Sequence, residues 1–170
     1  MGAPKKRRKQ FEAPKRLWDA ARIKEERKLV DEYGLKNMRE LWRMKTILRK
    51  IRREARRLQS RKGQKIEERA ELLLNRVKSF LIADPKSLDE VLALDTRSIL
   101  ERRLQTRAVR MHLATTMLQS RQFITHGHFA VKESRVTAPS YLVKFSEENA
   151  ISWYKEPIVL KHEEVKPSGE

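Results

Sequence analysis

The sequence predicts an α+β fold, a basic and mostly helical N-terminal region followed by a small module of two helices and short antiparallel strands. Three observations carry that expectation. Apolar residues recur at alternating spacings of three and four through the first part of the chain, which makes one stripe on each α-helix. After His126-Gly127 the period becomes two, as on a half-buried strand. Positive charge falls in two blocks, 24 basic against 8 acidic residues over 1–65 and 9 against 2 over 96–145. The stretches 66–95 and 146–170 each carry a net −3. The expected division is a helical region at 1–95 that opens on an extended arm at 1–15, a module at 96–145 and an acidic segment at 146–170.

Taken in order, Tyr33-Gly34 stops a first helix, because glycine takes the left-handed conformation past a helix end. Asn37 followed by Glu40 has the form of a capping pair for a second helix. There Leu41, Met44, Leu48, Ile51, Ala55 and Leu58 form the apolar stripe. Arg43, Lys45, Arg49, Lys50, Arg52, Arg53, Arg56 and Arg57 take the other faces with only Glu54 among them. So many like charges repel one another along a helix unless an anion faces them. Gly63-Gln64 breaks the pattern, and Ile66, Ala70, Leu73, Val77 and Phe80 form the next stripe, expected to pack antiparallel to the one before. Asp84-Pro85 ends that helix, and Ser87-Leu88-Asp89-Glu90 caps a short one through Leu94. Ser98-Ile99-Leu100-Glu101 has the same form and opens a helix expected to run to about Met111. Thr116 opens another that ends at His126-Gly127. Phe129 and Val131 then alternate with His128, Ala130 and Lys132, and Tyr141 to Phe145 reads as a further strand.

The chain carries 40 lysines and arginines against 23 acids, a formal net charge of +17. A surplus of that size on 170 residues points to a polyanionic partner. With no cysteine, neither disulfides nor a thiolate zinc site can hold the fold. No apolar run is long enough for a membrane-spanning helix, so no membrane partner is expected. The basic run at 5–9 has no apolar segment behind it, which argues against a secretory signal. Lys6 stands where myristoylation needs Ser or Thr. The run reads as a solvated arm, with a nuclear localisation signal as the alternative.

Four segments then point to one family. Leu100-Glu101-Arg102-Arg103-Leu104-Gln105-Thr106, Ser120-Arg121-Gln122-Phe123-Ile124, His126-Gly127-His128-Phe129-Ala130-Val131 and Ala138-Pro139-Ser140-Tyr141 resemble the RNA-binding module of small-subunit ribosomal protein four, in its archaeal and eukaryotic form. Tyr33-Gly34-Leu35-Lys36-Asn37, Glu40-Leu41-Trp42 with the arginine-rich helix, and the opening Gly2-Ala3-Pro4-Lys5 resemble the same family, so the likeness spans nearly the whole chain. Three departures stand out. The cysteine zinc knuckle of many bacterial relatives is missing, Ser120 replaces a frequent alanine, and Lys132-Glu133-Ser134-Arg135 replaces an Asn-Gly turn, which predicts a longer hairpin loop.

The resemblance implies that Arg102, Arg103, Arg107 and Arg121 face RNA with Gln122 and His128 beside them, and Arg43, Arg49, Lys50, Arg52, Arg53, Arg56 and Arg57 supply the second basic surface. Arginine's planar fork suits phosphate, and a basic surface of fixed shape suits RNA helices. For Arg121 the bland rival is a structural tie to Glu133, the nearest acid in sequence. The resemblance further implies a structural constituent of the small ribosomal subunit, not an enzyme. It would bind small-subunit (16S-type) rRNA directly, nucleate assembly of the subunit body and support translational accuracy. The implied partners are small-subunit ribosomal protein five, other small-subunit proteins and mRNA near the channel where it enters, in the ribosome of the cytoplasm. A free-standing RNA chaperone or an RNA-modifying enzyme could carry the same module. Neither accounts for the first 95 residues.

Other chemistry finds little support. His126-Gly127-His128 is a poor metal set without cysteine and with only Glu133 nearby, so RNA or hydrogen-bond contact is the better reading. No phosphate loop, nucleophile elbow or dinucleotide fingerprint is present, and no cofactor is implied. Trp42 and Tyr141 read as packing residues, and Trp153 and Tyr154 as protein contacts. For Trp18, packing and stacking are equally open.

Overall fold

The computed structural model describes residues 9–60, 63–83, 85 and 87–155. In chain order it forms helices α1 (Ala20–Glu32), α2 (Met38–Gln59), α3 (Gln64–Phe80), α4 (Leu88–Ala93), α5 (Thr96–Glu101), α6 (Leu104–Arg110) and α7 (Met117–His126). Strands β1 (Phe129–Val131) and β2 (Ser134–Arg135), the short helix α8 (Phe145–Glu148) and β3 (Ile151–Trp153) follow. The sheet is antiparallel with strand order β2-β1-β3. The α+β expectation holds. No helix among the described residues is long and apolar enough to cross a membrane.

The long helix α2 is the centre of the first layer, with α1, α3, α4 and α5 packed on it. It begins where expected, because the Asn37 side chain accepts the Glu40 amide at 3.2 Å, while Gly34 at φ +56° turns the chain out of α1. The whole stripe Leu41, Met44, Leu48, Ile51, Ala55 and Leu58 is buried, together with Leu73 and Val77 of α3, Val91 of α4 and Ile99 and Leu100 of α5. Each large side chain so buried contributes about 1.5–3 kcal/mol. A second, smaller core gathers Leu104, Ala108, Ile124, Phe129, Val131, Val143 and Ile151, with Trp153 against Phe129 at 4.8 Å between ring centroids.

The two cores meet where the sequence reading is corrected. The helix expected from Ser98 to about Met111 starts at Thr96 and stops at Glu101. Arg103 is extended (φ −70°, ψ 141°) before α6 begins. The break places Leu104 N–H on the Tyr141 carbonyl and Val143 N–H on the Arg102 carbonyl, both at 2.8 Å. The expected strand from Tyr141 to Phe145 reduces to this pairing, a single bridge of Arg103 with Leu142. The chain then turns into α8.

The sheet departs from expectation in two further ways. Ala130 does not face water, because β1 is the middle strand and Ala130 lies between Arg135 and Ser152 on its two neighbours. The hairpin loop is short, with Lys132 and Glu133 alone between the strands, at φ 50° and 68°. Two residues at positive φ make the turn whose twist fits paired strands, so tightness wins over the residue preference. Lys132 N–H on the Ala150 carbonyl at 3.1 Å helps to hold it. Glu133 is exposed, and relieving its left-handed backbone outweighs the added chain entropy of glycine. Glu133→Gly should therefore stabilise by about 1 kcal/mol, a rise of roughly 2–4 °C in melting temperature. A lower melting temperature would contradict that account.

β3, the second neighbour of β1, lies in the segment set apart by its acidic charge. Within the expected arm, Phe11 and Glu12 lie on α2, with Phe11 against Trp42 at 6.0 Å and the Glu12 amide on Thr46 Oγ1 at 3.0 Å. The basic run at 5–8, the Asp84 half of Asp84-Pro85 and the last fifteen residues fall outside the described residues.

Candidate nucleic-acid interface

Burying one stripe of α2 forces its cations onto the remaining faces, and these divide by what they touch. Arg49, Lys50, Arg53, Arg56 and Arg57 are exposed. Of these, Arg49 pairs with Glu12, and the other four pair with no carboxylate among the described residues. A groove beside α3 is lined by Lys50, Arg53, Arg57 and Arg76 with Glu54 among them, over Ile47 and Ile51. Arg43 and Arg52 are half-buried. Arg52 donates to the Leu94 carbonyl at the end of α4, which makes it a structural residue. Lys45 is bonded to the buried Glu26 at 2.7 Å.

The module's arginines turn inward. Arg102, 6% exposed, donates to the Val143 carbonyl at 3.0 Å and to Glu148 at 2.8 Å, and lies over the Phe145 ring at 4.1 Å. Arg107 also pairs with Glu148. Arg103 is fully buried and reaches Glu40 through Nη2 at 2.8 Å, while its Nε and Nη1 have no partner. Arg121 grips the same carboxylate with both Nη atoms, at 2.6 and 3.2 Å. Of the four arginines expected to face RNA, Arg102 and Arg103 are buried, and Arg107 and Arg121 are partly exposed, drawn toward Glu148 and Glu40. The rival reading of Arg121 as a structural tie named Glu133, but the partner is Glu40, 81 residues away on α2. Gln122, His126 and His128 are exposed, as expected of surface contacts.

Glu40 is the residue that sequence reading placed in a lesser role. Its backbone serves the cap, but its carboxylate leaves the cap to hold Arg103 and Arg121. Burial pushes that carboxyl upward, yet the Arg121 hydrogen bonds and the Arg103 charge outweigh it and hold the group below its ordinary 4.5. Burial likewise lowers Arg103, against the pull of Glu40. A carboxyl lowered by folding stabilises above its unfolded value, and the gain is lost as pH falls through the folded value. Stability should thus be level above about pH 5 and decline below 4.5, and Glu40→Gln should flatten the decline, as melts between pH 7 and 3 would report.

Further hydrogen bonds complete the junction between the two cores. Gln105 Nε2 donates to the Gly34 carbonyl at 3.0 Å and the Met117 carbonyl at 2.8 Å, and Tyr33 donates to Glu101 at 2.9 Å. A Cβ at Gly34 would lie 2.6 Å from that of Met117, so close approach as well as φ requires glycine there. Ser120 fits its place, buried and donating to the Gln105 carbonyl at 2.9 Å. No group of three His, Cys, Asp or Glu among the described residues could hold a metal ion, and the His126 and His128 rings lie 6.3 Å apart. The result is an open row of cations on α2, a second polar surface on the module, and an ionic and hydrogen-bonded junction that fixes one to the other.

Comparison with known proteins finds one family match and several similar proteins. The S4 domain matches residues 102–149, beginning at the break between the two cores. Over nearly the whole length, the chain is similar to the small ribosomal subunit protein uS4 of Methanococcus aeolicus, 47% identical over 90% of this chain and 88% of that one. The Methanococcus vannielii protein of the same name is 44% identical over 95% and 93%, and that of Methanothermobacter thermautotrophicus 39% identical over the full length of both.

Proposed function

Because this chain belongs to the uS4 family of small ribosomal subunit proteins, we propose that it is a non-catalytic constituent of the small ribosomal subunit that binds 16S-type rRNA directly. Arg49, Lys50, Arg53, Arg56 and Arg57 form one contact surface, and Gln122 and His128 lie on the second. Arg103 and Arg121, both bonded to Glu40 of α2, keep the two surfaces in register, while Arg52 ties α2 to α4 and Arg102 and Arg107 brace the module through Glu148. RNA helices are recognised by shape and backbone, so a fixed spacing between the basic surface on α2 and the polar surface on the module is itself a recognition element. The single observation that supports this most is the row Lys50, Arg53, Arg56 and Arg57, left without described acidic partners on a helix whose opposite stripe is buried.

Family membership supports the finer roles as well. These are nucleation of subunit-body assembly, support of translational accuracy, contact with small-subunit ribosomal protein five and with mRNA where it enters, and residence in the cytoplasmic ribosome. Co-sedimentation tests the core of the reading. The protein should remain with small subunits through a high-salt wash, where a free chaperone or a modifying enzyme would be released.

A further inference from the structure

Trp18 is 93% exposed, although tryptophan is highly buried on average. It immediately precedes Asp19, the N-cap of α1, and Ile23 is the fourth helical residue. An apolar pair at these two positions commonly packs together and fixes the entry to a helix. Here the indole leaves that contact unmade. The turn that carries it is nevertheless well tied. Arg22 Nη2 donates to the carbonyls of Arg16 at 3.1 Å and Leu17 at 3.0 Å, its Nη1 donates to buried Glu26 at 2.6 Å, and its amide donates to Asp19 at 3.3 Å. Glu26 is anchored in turn by Trp42 Nε1 at 3.1 Å and by Lys45.

The indole is therefore displayed on a fixed turn, so a ligand need not order that backbone on binding. The other two tryptophans are committed, Trp42 to Glu26 and Phe11, Trp153 to Phe123 and Phe129. Beside Trp18, Lys15 and Arg16 are exposed and pair with no acid among the described residues. A flat ring with adjacent free cations matches a base with its flanking phosphates. An apolar protein pocket would leave those cations unmatched at its rim.

On the RNA-binding reading above, we infer that Trp18 is a stacking platform for one unpaired rRNA base, with Lys15 and Arg16 on the neighbouring phosphates. The test uses the full chain and a small-subunit rRNA fragment. Trp18→Ala should weaken binding on the order of 5–100-fold, Trp18→Phe should recover most of it, and neither should change the melting temperature of the free protein. RNA should quench the fluorescence of the wild type, and Trp18→Phe should lose most of that quench because the remaining indoles are packed. A wild type that fails to bind rRNA would remove the reading beneath the proposal. Normal rRNA binding by both variants with an undiminished quench would overturn the proposal alone. Unchanged rRNA affinity with weaker incorporation into subunits would also overturn it and assign Trp18 to a protein neighbour.

Discussion

Glu40→Ala should lower stability by about 3 kcal/mol, because it leaves the buried Arg103 guanidinium with no counter-charge. For a chain of this length that is a fall of roughly 6–12 °C in melting temperature. The size follows from asymmetry. A buried pair adds little over an apolar pair of the same shape, but removing one partner strands the other. Glu40→Leu combined with Arg103→Leu should therefore recover much of what either loses singly. Arg121→Lys keeps the charge but loses the two-pronged grip, and should cost about 1–2 kcal/mol. Thermal melts of Glu40→Ala, Arg121→Lys, the single variants Glu40→Leu and Arg103→Leu and their double decide the matter. Additive losses at Glu40 and Arg103 would mean that the pair does not act as a unit.

The second expectation concerns the open row on α2. If 6–10 phosphates are neutralised, affinity for an rRNA fragment should drop on the order of 10³–10⁵-fold between 50 and 200 mM salt. Replacing Arg53, Arg56 and Arg57 together by Gln removes about three contacts, so the drop over that range should shrink by roughly 40-fold. Their side chains lie in solvent, and the free protein should melt as before or slightly higher as like charges are removed. Filter binding across a salt series gives the slope directly. An unchanged slope in the triple variant would place the RNA elsewhere on the molecule.

The helical scaffold was the legible part, because each apolar stripe is a local pattern and each cap a local hydrogen bond. Leu41 to Leu58, Thr116 and Gly127 all stand as the periodicity and capping rules imply. The break at Arg102-Arg103 was not legible. Ile99, Leu100, Leu104 and Ala108 continue a helical spacing straight through it, and only pairing with residues 141–143 some forty positions later interrupts the helix. The side-chain environment of the candidate residues was hidden for the same reason. Which of the arginines lie exposed depends on Glu40 and Glu148, both remote in sequence. The hairpin erred in the opposite direction, because residue preference at Lys132 and Glu133 yielded to the geometry of the strands.

The two cores also set an order of events during synthesis. The buried residues of the first end at Leu100, whereas the second needs Ile151, and β3 is the last piece laid against the central strand. At about 5–20 residues per second, the second lags by roughly 3–10 s. During that interval Glu40 is already positioned on a folded helix while its partners Arg103 and Arg121 are still arriving. The scaffold then serves as a template, and the emerging arginines find a fixed carboxylate before their own module has closed.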